Sequence, residues 1–276
     1  MGNLNEVQAL QLKIAKTYVD VCDKNNIPYF MTGGTMLGAI RHKGFVPWDD
    51  DMDFGMTRDN FERFLKIGQS ELGEEFFVQT WETDPGYGLP FAKIRLNGTE
   101  YVEKSSEKAN MNKGIYIDVF PWDNMPDDEQ LRAKQWKKVH IFWHLLMNKC
   151  NYDYINKSNF IKKVAAIVLK ILSKLIPLEI IHKNLYKNLT MYRNIDTKNA
   201  ANFCEGNTME KETWKHSWYT EFDEYEFEGY KFKGPKEYDD FLTHLFGDYM
   251  TPVPKSERHK GHGIIKINLG QYGKKD

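Results

Sequence analysis

The sequence predicts an α+β fold in which a mixed sheet, formed within about the first 125 residues, is covered by helices. Two observations favour this class. Before residue 126, apolar stretches of strand length alternate with amphipathic stretches of helical period. From about 126 to 200 the pattern is mainly helical, and from about 201 to 276 it is mixed and aromatic. We therefore expect one domain over residues 1–276, with a sheet-containing part and a helical insertion.

The individual elements are predicted from hydrophobic period and turn residues. Residues 5–25 place apolar side chains near one face, which predicts an opening helix. The next elements are a strand at 29–32, a brief helix at 36–41, a strand at 51–56 and a helix at 60–72. Four strands follow at 76–81, 91–96, 101–104 and 114–120. The Asn97-Gly98 turn signal predicts a hairpin between the second and third of these four strands.

Composition and charge argue against several classes of protein. The 38 basic and 39 acidic side chains leave a net charge of -1, whereas a general nucleic-acid binder needs an excess of Lys and Arg. The three cysteines are too widely spaced for a disulfide framework, which favours a reducing compartment. The sequence shows no secretory pattern and no apolar stretch approaching the roughly 20 residues that span a bilayer. We therefore expect a cytoplasmic protein without a nucleic-acid partner.

The densest chemistry lies in an acidic segment with four carboxylates at Asp49, Asp50, Asp51 and Asp53. Their mutual repulsion is costly unless a cation offsets it. The period of two in a strand would place Asp51 and Asp53 on one face, with Met and Phe residues between them facing the core. Asp49 would share that face, and Asp50 would point away. Oxygen ligands of this kind select Mg²⁺ or Mn²⁺; a solvated acidic surface is the alternative.

Two further motifs accompany the acidic segment. Gly33, Gly34 and Thr35 follow a predicted strand, where glycines and a helix N-terminus would let main-chain N–H groups approach a phosphate. A tight turn is the alternative explanation. Asp118 is the one carboxylate in the apolar strand 115–120. Because a buried carboxylate is costly unless it is paired or bound to metal, Asp118 is a candidate third member of the acidic site.

These motifs resemble the nucleotidyltransferase fold of the polymerase-beta type. The run GTMLGAIRHKGFVPWDDDMD, residues 34–53, resembles the signature of the LicD family, bacterial phosphocholine transferases related to fukutin-related proteins. Further matches are FAKIR at 91–95, NGT at 97–99, IDVFP at 117–121, YD at 238–239 and FGDYM at 246–250. The resemblance extends over roughly residues 10–255 and is most specific in the first 60.

The resemblance implies metal-dependent transfer of phosphocholine from CDP-choline to a hydroxyl of a cell-surface glycopolymer precursor, of the teichoic acid or lipopolysaccharide type. It implies that Asp51 and Asp53 hold Mg²⁺ or Mn²⁺, with Asp49 as a further candidate ligand. Asp118 would complete the metal site or accept the proton of the acceptor. The acceptor would be lipid-linked and would be met at the inner face of the membrane.

Candidate substrate-binding residues follow from the chemistry of that donor. An anionic diphosphate needs cations, and the candidates are Arg41, His42, Lys93 and Arg95, with ordinary surface charge as the alternative. A choline headgroup is bound by aromatic faces, and the candidates include Trp48, Tyr116 and Trp122, with a core or rim position as the alternative.

Three other functions remain open. Within the same fold, the transferred group could be another phosphorylated headgroup such as a sugar alcohol, or the reaction could be nucleotidyl transfer with release of pyrophosphate. From a different class, the chain could be a non-catalytic module that binds a cation or an acceptor. Three converging carboxylates at Asp51, Asp53 and Asp118 disfavour the last function.

Two segments outside these motifs carry separate hypotheses. In residues 160–181, four lysines fall within about 120° of one another and eight apolar residues fill the opposite side. This pattern is typical of a helix lying in a membrane interface, and an amphipathic helix packed on the core is the alternative. In the tail, His259 and His262 fit either a lid over the site or a mobile terminus.

Overall fold

The fold is built around a mixed sheet in the computed structural model, which describes residues 5–153, 160–203, 207–257 and 262–273. The strands in chain order are β1 Phe30–Met31, β2 Asp53–Thr57, β3 Phe76–Gln79, β4 Ala92–Leu96, β5 Glu100–Glu103, β6 Tyr116–Met125, β7 Asn199–Ala201, β8 Thr213–Lys215, β9 Phe222–Phe227, β10 Tyr230–Pro235 and β11 Ile264–Asn268. The helices are α1 Glu6–Lys24, α2 Gly33–His42, α3 Arg58–Leu72, α4 Glu129–Lys149, α5 Phe160–Leu175, α6 Leu178–Leu189, α7 Met209–Glu212 and α8 Tyr238–Phe246.

The main sheet has the order β1-β2-β6-β4-β3, and β7 and β8 extend it from the end of β6. Strands β2 and β6 are parallel, and the other pairs in this sheet are antiparallel. In this register Asp53 lies opposite Asp118, and Lys93 lies opposite Asp118 from the other side. The carboxylates of Asp53 and Asp118 and the ammonium group of Lys93 therefore lie side by side on three neighbouring strands. The predicted α+β class with a mixed sheet is confirmed.

The helices begin and end where local signals indicate. A capping box between Asn5 and Gln8 starts α1, and the Thr57 side chain accepts the N–H of Asn60 at the start of α3. Helix α2 begins at Gly33, three residues earlier than predicted, so the glycine pair forms its first turn rather than a separate loop. The helical prediction for the middle of the chain is confirmed by α4, α5 and α6.

Aromatic side chains fill the core on both sides of β2. Phe54 packs against Tyr18 and Tyr29 on one side, and Trp122 packs against Phe30 and Trp214. The predicted burial of Met52, Phe54 and Met56 is confirmed, although β2 begins at Asp53, two residues later than predicted. This rigid strand carries Asp53 at its first position.

The predicted hairpin between residues 91–96 and 101–104 is wrong. Gly98 does form a turn, with a φ of 77°, but β5 pairs with β11 instead of β4. The reason is that β4 already lies between β3 and β6, so both of its hydrogen-bonding edges are occupied. The turn signal specified the bend correctly, while the sheet decided the pairing partner.

Candidate active site

Three carboxylates converge on one point: Asp51 from the segment before β2, Asp53 from β2 and Asp118 from β6. Asp51, Asp53 and Asp118 each offer an oxygen atom, and these atoms lie within 4.8 Å of one another. Asp51 and Asp118 are buried, with exposed fractions of 8% and 6%, and Asp53 is half-buried. The predicted grouping of Asp51, Asp53 and Asp118 is therefore present. Parallel pairing of β2 with β6 is the cause, because it sets Asp53 directly beside Asp118.

The glycine pair at the start of α2 leaves room for these carboxylates. Gly33 has a φ of +52°, and a β-carbon there would lie 3.3 Å from an Asp53 oxygen. A β-carbon on Gly34 would collide with the Asp49 carboxylate. Thr35 is buried, and its hydroxyl accepts the main-chain N–H of Asp53 at 2.8 Å. The N-terminus of α2 thus adjoins the carboxylates, in the position where a helix favours an anion.

Lys93 places one positive charge inside the site. Its Nζ atom lies 2.8 Å from Asp118 Oδ1 and donates to Oδ2 at 3.0 Å. The same atom lies 3.9 Å from Glu103 Oε1 and 3.4 Å from the centre of the Tyr116 ring. Tyr116 in turn donates its hydroxyl to Glu103 at 2.7 Å. Since Lys93 has an exposed fraction of only 4%, this cluster holds Asp118 in a fixed orientation.

Burial shifts the ionisation of the carboxylates. Burial, and after it the neighbouring Asp51, raises the pKa of Asp49 to about 8. Burial likewise raises the pKa of Asp51, and it raises the pKa of Asp118 to about 6 although Lys93 opposes the shift. Burial also acts to raise the pKa of Glu103, but the charge of Lys93 and the hydrogen bond from Tyr116 hold it below its ordinary value. The site therefore concentrates negative charge that is costly without a cation.

Main-chain contacts and His262 hold the acidic segment in place. Two glutamines of α1 donate to main-chain carbonyls, Gln8 to that of Asp49 at 3.2 Å and Gln11 to that of Asp50 at 2.7 Å. The main-chain N–H of His262 donates to Asp50 Oδ2 at 3.0 Å, and its Nδ1 lies 2.9 Å from Oδ1. Its Nε2 lies 3.4 Å from Asp51 Oδ2. The side chain of Asp50 is thus turned to His262 and is not a member of the group formed by Asp51, Asp53 and Asp118.

The tail histidines have different outcomes. His262 touches two residues of the acidic segment, and both the lid and the mobile terminus stay predictions. Its hydrogen bond to Asp50 raises the pKa of His262 to about 10. Strand β11 follows at once and pairs with β5, which carries Glu103. His259 lies outside the described residues.

Four of the predicted substrate-binding residues lie away from the carboxylates. Arg41 and His42 occupy the C-terminal end of α2, about 12 Å along the helix from Gly33. Trp48 lies beside them, with its ring 5.9 Å from the Arg41 guanidinium. Trp122 is 2% exposed and packs in the core.

Arg95 is also not available to a phosphate in this structure. Its side chain is 1% exposed, and it donates to Gln79 Oε1 at 2.5 Å and to the Gly114 carbonyl at 2.7 Å. The prediction treated Lys93 and Arg95 alike because they lie two residues apart on one strand. Only Lys93 contacts the acidic group, since its register places it opposite Asp118.

Sequence patterns did not indicate Glu103 or the two glutamines. Glu103 ends a strand whose partner is β11, and no local motif connects it to Lys93. Gln8 and Gln11 lie on the buried face of α1, where a polar side chain is unusual. These polar side chains on the apolar face of a helix are the sequence signal that could have indicated a role for the two glutamines.

The donor set fits a hard divalent cation. Asp51, Asp53 and Asp118 supply carboxylate oxygens within 4.8 Å, and oxygen ligands of this type bind Mg²⁺ or Mn²⁺. Asp49 adjoins the same group, because its carboxylate lies against Gly34 and close enough to Asp51 for the charge of Asp51 to raise the pKa of Asp49. Asp51 also belongs to a second group of possible ligands, with Asp50 and His262, so residues of the acidic segment, Asp118 and His262 are the ones that could hold a metal.

A mixed sheet with carboxylates converging next to a helix N-terminus is consistent with a nucleotidyltransferase-like fold. Residues 26–166 match the family described as LicD/FKTN/FKRP, nucleotidyltransferase domain. The lipopolysaccharide cholinephosphotransferase LicD of Haemophilus influenzae is 30% identical over 276 residues, which cover 95% of this chain and 96% of that protein. The chain belongs to the LicD family, as the resemblance predicted.

Other relatives match shorter segments. The ribitol 5-phosphate transferase FKRP of Homo sapiens is 33% identical over 72 residues, 25% of this chain and 14% of that protein. An uncharacterized protein of Rickettsia typhi is 40% identical over 65 residues, 23% of this chain and 21% of that protein.

Proposed function

We propose that this chain transfers phosphocholine from CDP-choline to a hydroxyl group of a cell-surface glycan precursor, of the teichoic acid or lipopolysaccharide type. The observation that carries the proposal is the convergence of Asp51, Asp53 and Asp118 beside the first turn of α2. Its support from comparison is the relative named lipopolysaccharide cholinephosphotransferase, which aligns with 95% of the chain.

The proposed reaction breaks one phosphoanhydride bond. An acceptor oxygen attacks the phosphorus that carries choline, CMP leaves, and the acceptor proton passes to a base. Asp51 and Asp53, with Asp49, would hold Mg²⁺ or Mn²⁺, and the bound cation would supply charge neutralisation at the diphosphate. The main-chain N–H groups of the first turn of α2 would donate hydrogen bonds to a phosphate oxygen.

Asp118 has two possible roles in this reaction, as a metal ligand or as the base. Lys93 lies 2.8 Å from it and keeps the carboxylate turned toward Asp51 and Asp53. Among the three aromatic candidates for choline, Trp48 is half-buried, whereas Tyr116 is covered by Lys93 and Trp122 lies in the core. Because Trp48 lies beside Arg41, toward the end of α2 opposite Gly33, we assign the choline contact to none of the three.

We place the reaction at the inner face of the cell membrane, where a lipid-linked acceptor would be presented. No helix among the described residues has both the length and the apolar character to cross a bilayer. Contact with such an acceptor would therefore be peripheral for that part of the chain.

Phosphorus NMR of the purified protein tests the proposal. With CDP-choline, Mg²⁺ and a teichoic-acid-type or lipopolysaccharide-type acceptor, we expect CMP and a new phosphodiester signal, and we expect neither without acceptor. An Asp51→Asn variant serves as the control for contaminating hydrolases. Release of pyrophosphate from CTP at a comparable rate would show that the reaction is nucleotidyl transfer instead.

A second candidate is transfer of a phosphorylated sugar alcohol. It is favoured by the match to FKRP, which is named a ribitol 5-phosphate transferase and aligns with 72 residues of this chain. Running the same assay with the cytidine-diphospho derivatives of choline and ribitol in competition distinguishes the two. The donor that is consumed at the higher kcat/KM identifies the transferred group.

A further inference from the structure

Helix α5 presents an apolar stripe to solvent. Its six members have exposed fractions between 40% and 73%: Val164, Ile167, Val168, Ile171, Leu172 and Leu175. On the other side Ser173 is buried and Leu169 packs on the core, as does Ile176 just after the helix. The alternative in which the apolar side of this helix packs on the core is therefore wrong for most of that side.

The stripe is continuous rather than scattered. At 100° per residue its six members fall within about 140° of one another, and they extend for about 17 Å along the helix. Single exposed apolar side chains are normal at a protein surface, whereas a contiguous group marks a contact surface. Exposure of this face of α5 to water is therefore unfavourable, and burial against a partner would stabilise it.

The charges next to the stripe indicate what covers it. Lys170 and Lys174 are exposed and lie along one border of the stripe. Helix α5 contains four lysines and no acidic residue, although the chain has 39 acidic side chains. Lysine is depleted at protein–protein interfaces, but at a bilayer its stem covers apolar surface while the ammonium meets the headgroups. The complementary partner is therefore an anionic lipid surface.

We propose that α5 lies in the interfacial region of an anionic bilayer, with its apolar stripe inserted and its lysines at the phosphates. A helix in that position binds through buried apolar area and through attraction to anionic lipid. The inference goes beyond the proposed function, because binding of α5 to lipid requires neither the donor nor the acceptor.

Helix α5 is connected to the acidic site through a short segment. The main-chain N–H of Asp153 donates to the Ser105 carbonyl at 2.8 Å, and Ser105 follows Glu103 by two residues. Helix α5 begins seven residues after Asp153, so its start lies within about 25 Å of Ser105. Docking of α5 would therefore keep the active site close to the membrane surface.

Flotation of the full chain with lipid vesicles tests the inference. The vesicles contain phosphatidylcholine with about 30% phosphatidylglycerol, and pure phosphatidylcholine vesicles are compared at low salt. We expect the wild type to float with the anionic vesicles and to bind pure phosphatidylcholine far more weakly. Ile167→Gln/Ile171→Gln/Leu175→Gln should abolish flotation, and Lys170→Gln/Lys174→Gln should weaken binding by about thirtyfold.

Matched variants distinguish binding through α5 from non-specific apolar or electrostatic binding elsewhere on the protein. Leu131→Gln/Ile195→Gln removes two exposed apolar side chains elsewhere, and Lys66→Gln/Lys236→Gln removes two exposed lysines elsewhere. Both controls should float like the wild type. The inference is overturned if the wild type stays unbound, or if the triple glutamine variant still floats. It is equally overturned if light scattering shows a wild-type dimer that the triple variant dissociates while vesicle binding is absent, because a second copy then covers the stripe.

Discussion

Individual residues at this site are constrained by the positions and charges of the neighbouring aspartates. Gly34 has no side chain where the Asp49 carboxylate lies, and Thr35 fixes the main chain of Asp53. Lys93 offsets the charge of Asp118 from the other side. Each of these residues acts on the position or the charge of an aspartate, so their substitutions should affect function more than folding.

The first prediction concerns the acidic residues themselves. Asp51→Asn or Asp53→Asn should lower turnover by about 10³-fold, because each change removes a charged ligand from the site. Both variants should keep the wild-type far-UV circular dichroism. In metal-free buffer the melting temperature of Asp51→Asn should equal or exceed that of the wild type, because the substitution relieves repulsion with Asp49. Near-normal turnover of both variants in Mg²⁺ would falsify the assignment.

The second prediction concerns the glycine pair. Gly34→Ala should lower kcat by about tenfold to a hundredfold, because the new methyl group displaces the Asp49 carboxylate. Gly273→Ala is the matched control, since a β-carbon there makes only ordinary contacts and its φ is negative. Initial rates and melting temperatures should be measured for both. Equal rates for the two variants would mean that the position of Asp49 does not matter for turnover.

At the level of secondary-structure elements, the strand order brings the site together. Strand β6 lies between β2 and β4, so its residue Asp118 faces Asp53 on one side and Lys93 on the other. The small β5–β11 sheet then adds Glu103 and His262 from segments far apart in the chain. Strand β11 is thus the element whose contribution is easiest to remove without disturbing the main sheet.

The third prediction tests the contribution of β11 through His262. His262→Ala should reduce activity and the affinity for Mn²⁺ by about tenfold to a hundredfold, because Asp50 and Asp51 lose a partner that orients them. His262→Asn should restore part of both, since its amide can donate to Asp50 from a similar position. Lys266→Ala, four residues further on in β11, is the control and should behave like the wild type, because it removes only an exposed ion pair with Glu100. Wild-type metal affinity in the alanine variant would exclude the positioning role.

At the scale of the whole molecule, the candidate metal ligands connect parts that are separate in the sequence. Asp51 and Asp53 belong to the acidic segment and β2, whereas Asp118 belongs to β6 and is fixed by Lys93 of β4. A cation bound to all three would therefore tie the sheet to the acidic segment, and this coupling should be visible in the stability of the folded chain.

The fourth prediction is that Mn²⁺ stabilises the whole fold. At a hundredfold excess over its Kd, a ligand that binds only the folded state adds about 2.7 kcal/mol. For a chain of this size we therefore expect a rise in melting temperature of about 5 °C. The measurement is differential scanning fluorimetry after removal of metal with a chelator. The Asp51→Asn/Asp53→Asn double variant should show no rise, and an equal rise in both proteins would place the metal elsewhere.

The sequence by itself determined the class of the fold, the helices, the residues of the acidic segment and the family. These features depend on local periodicity and on residue types at short spacing, which are readable without a partner. The grouping of Asp51 with Asp53 was predicted from their spacing of two residues, although only Asp53 lies in β2, and Asp118 stood out because a carboxylate in an apolar strand needs a counter-charge.

Only the tertiary structure decided which other residues surround the aspartates of the site. The burial of Arg95, the contact of Lys93 with Asp118 and the pairing of β5 with β11 depend on strand order, which no local pattern encodes. His262 reaches Asp50 across 212 residues of chain, and the apolar stripe of α5 is exposed whereas Ser173 of the same helix is buried. The physical reason is the same in each case. Periodicity shows which side chains share one face of a helix or strand, whereas tertiary packing decides which surface that face contacts.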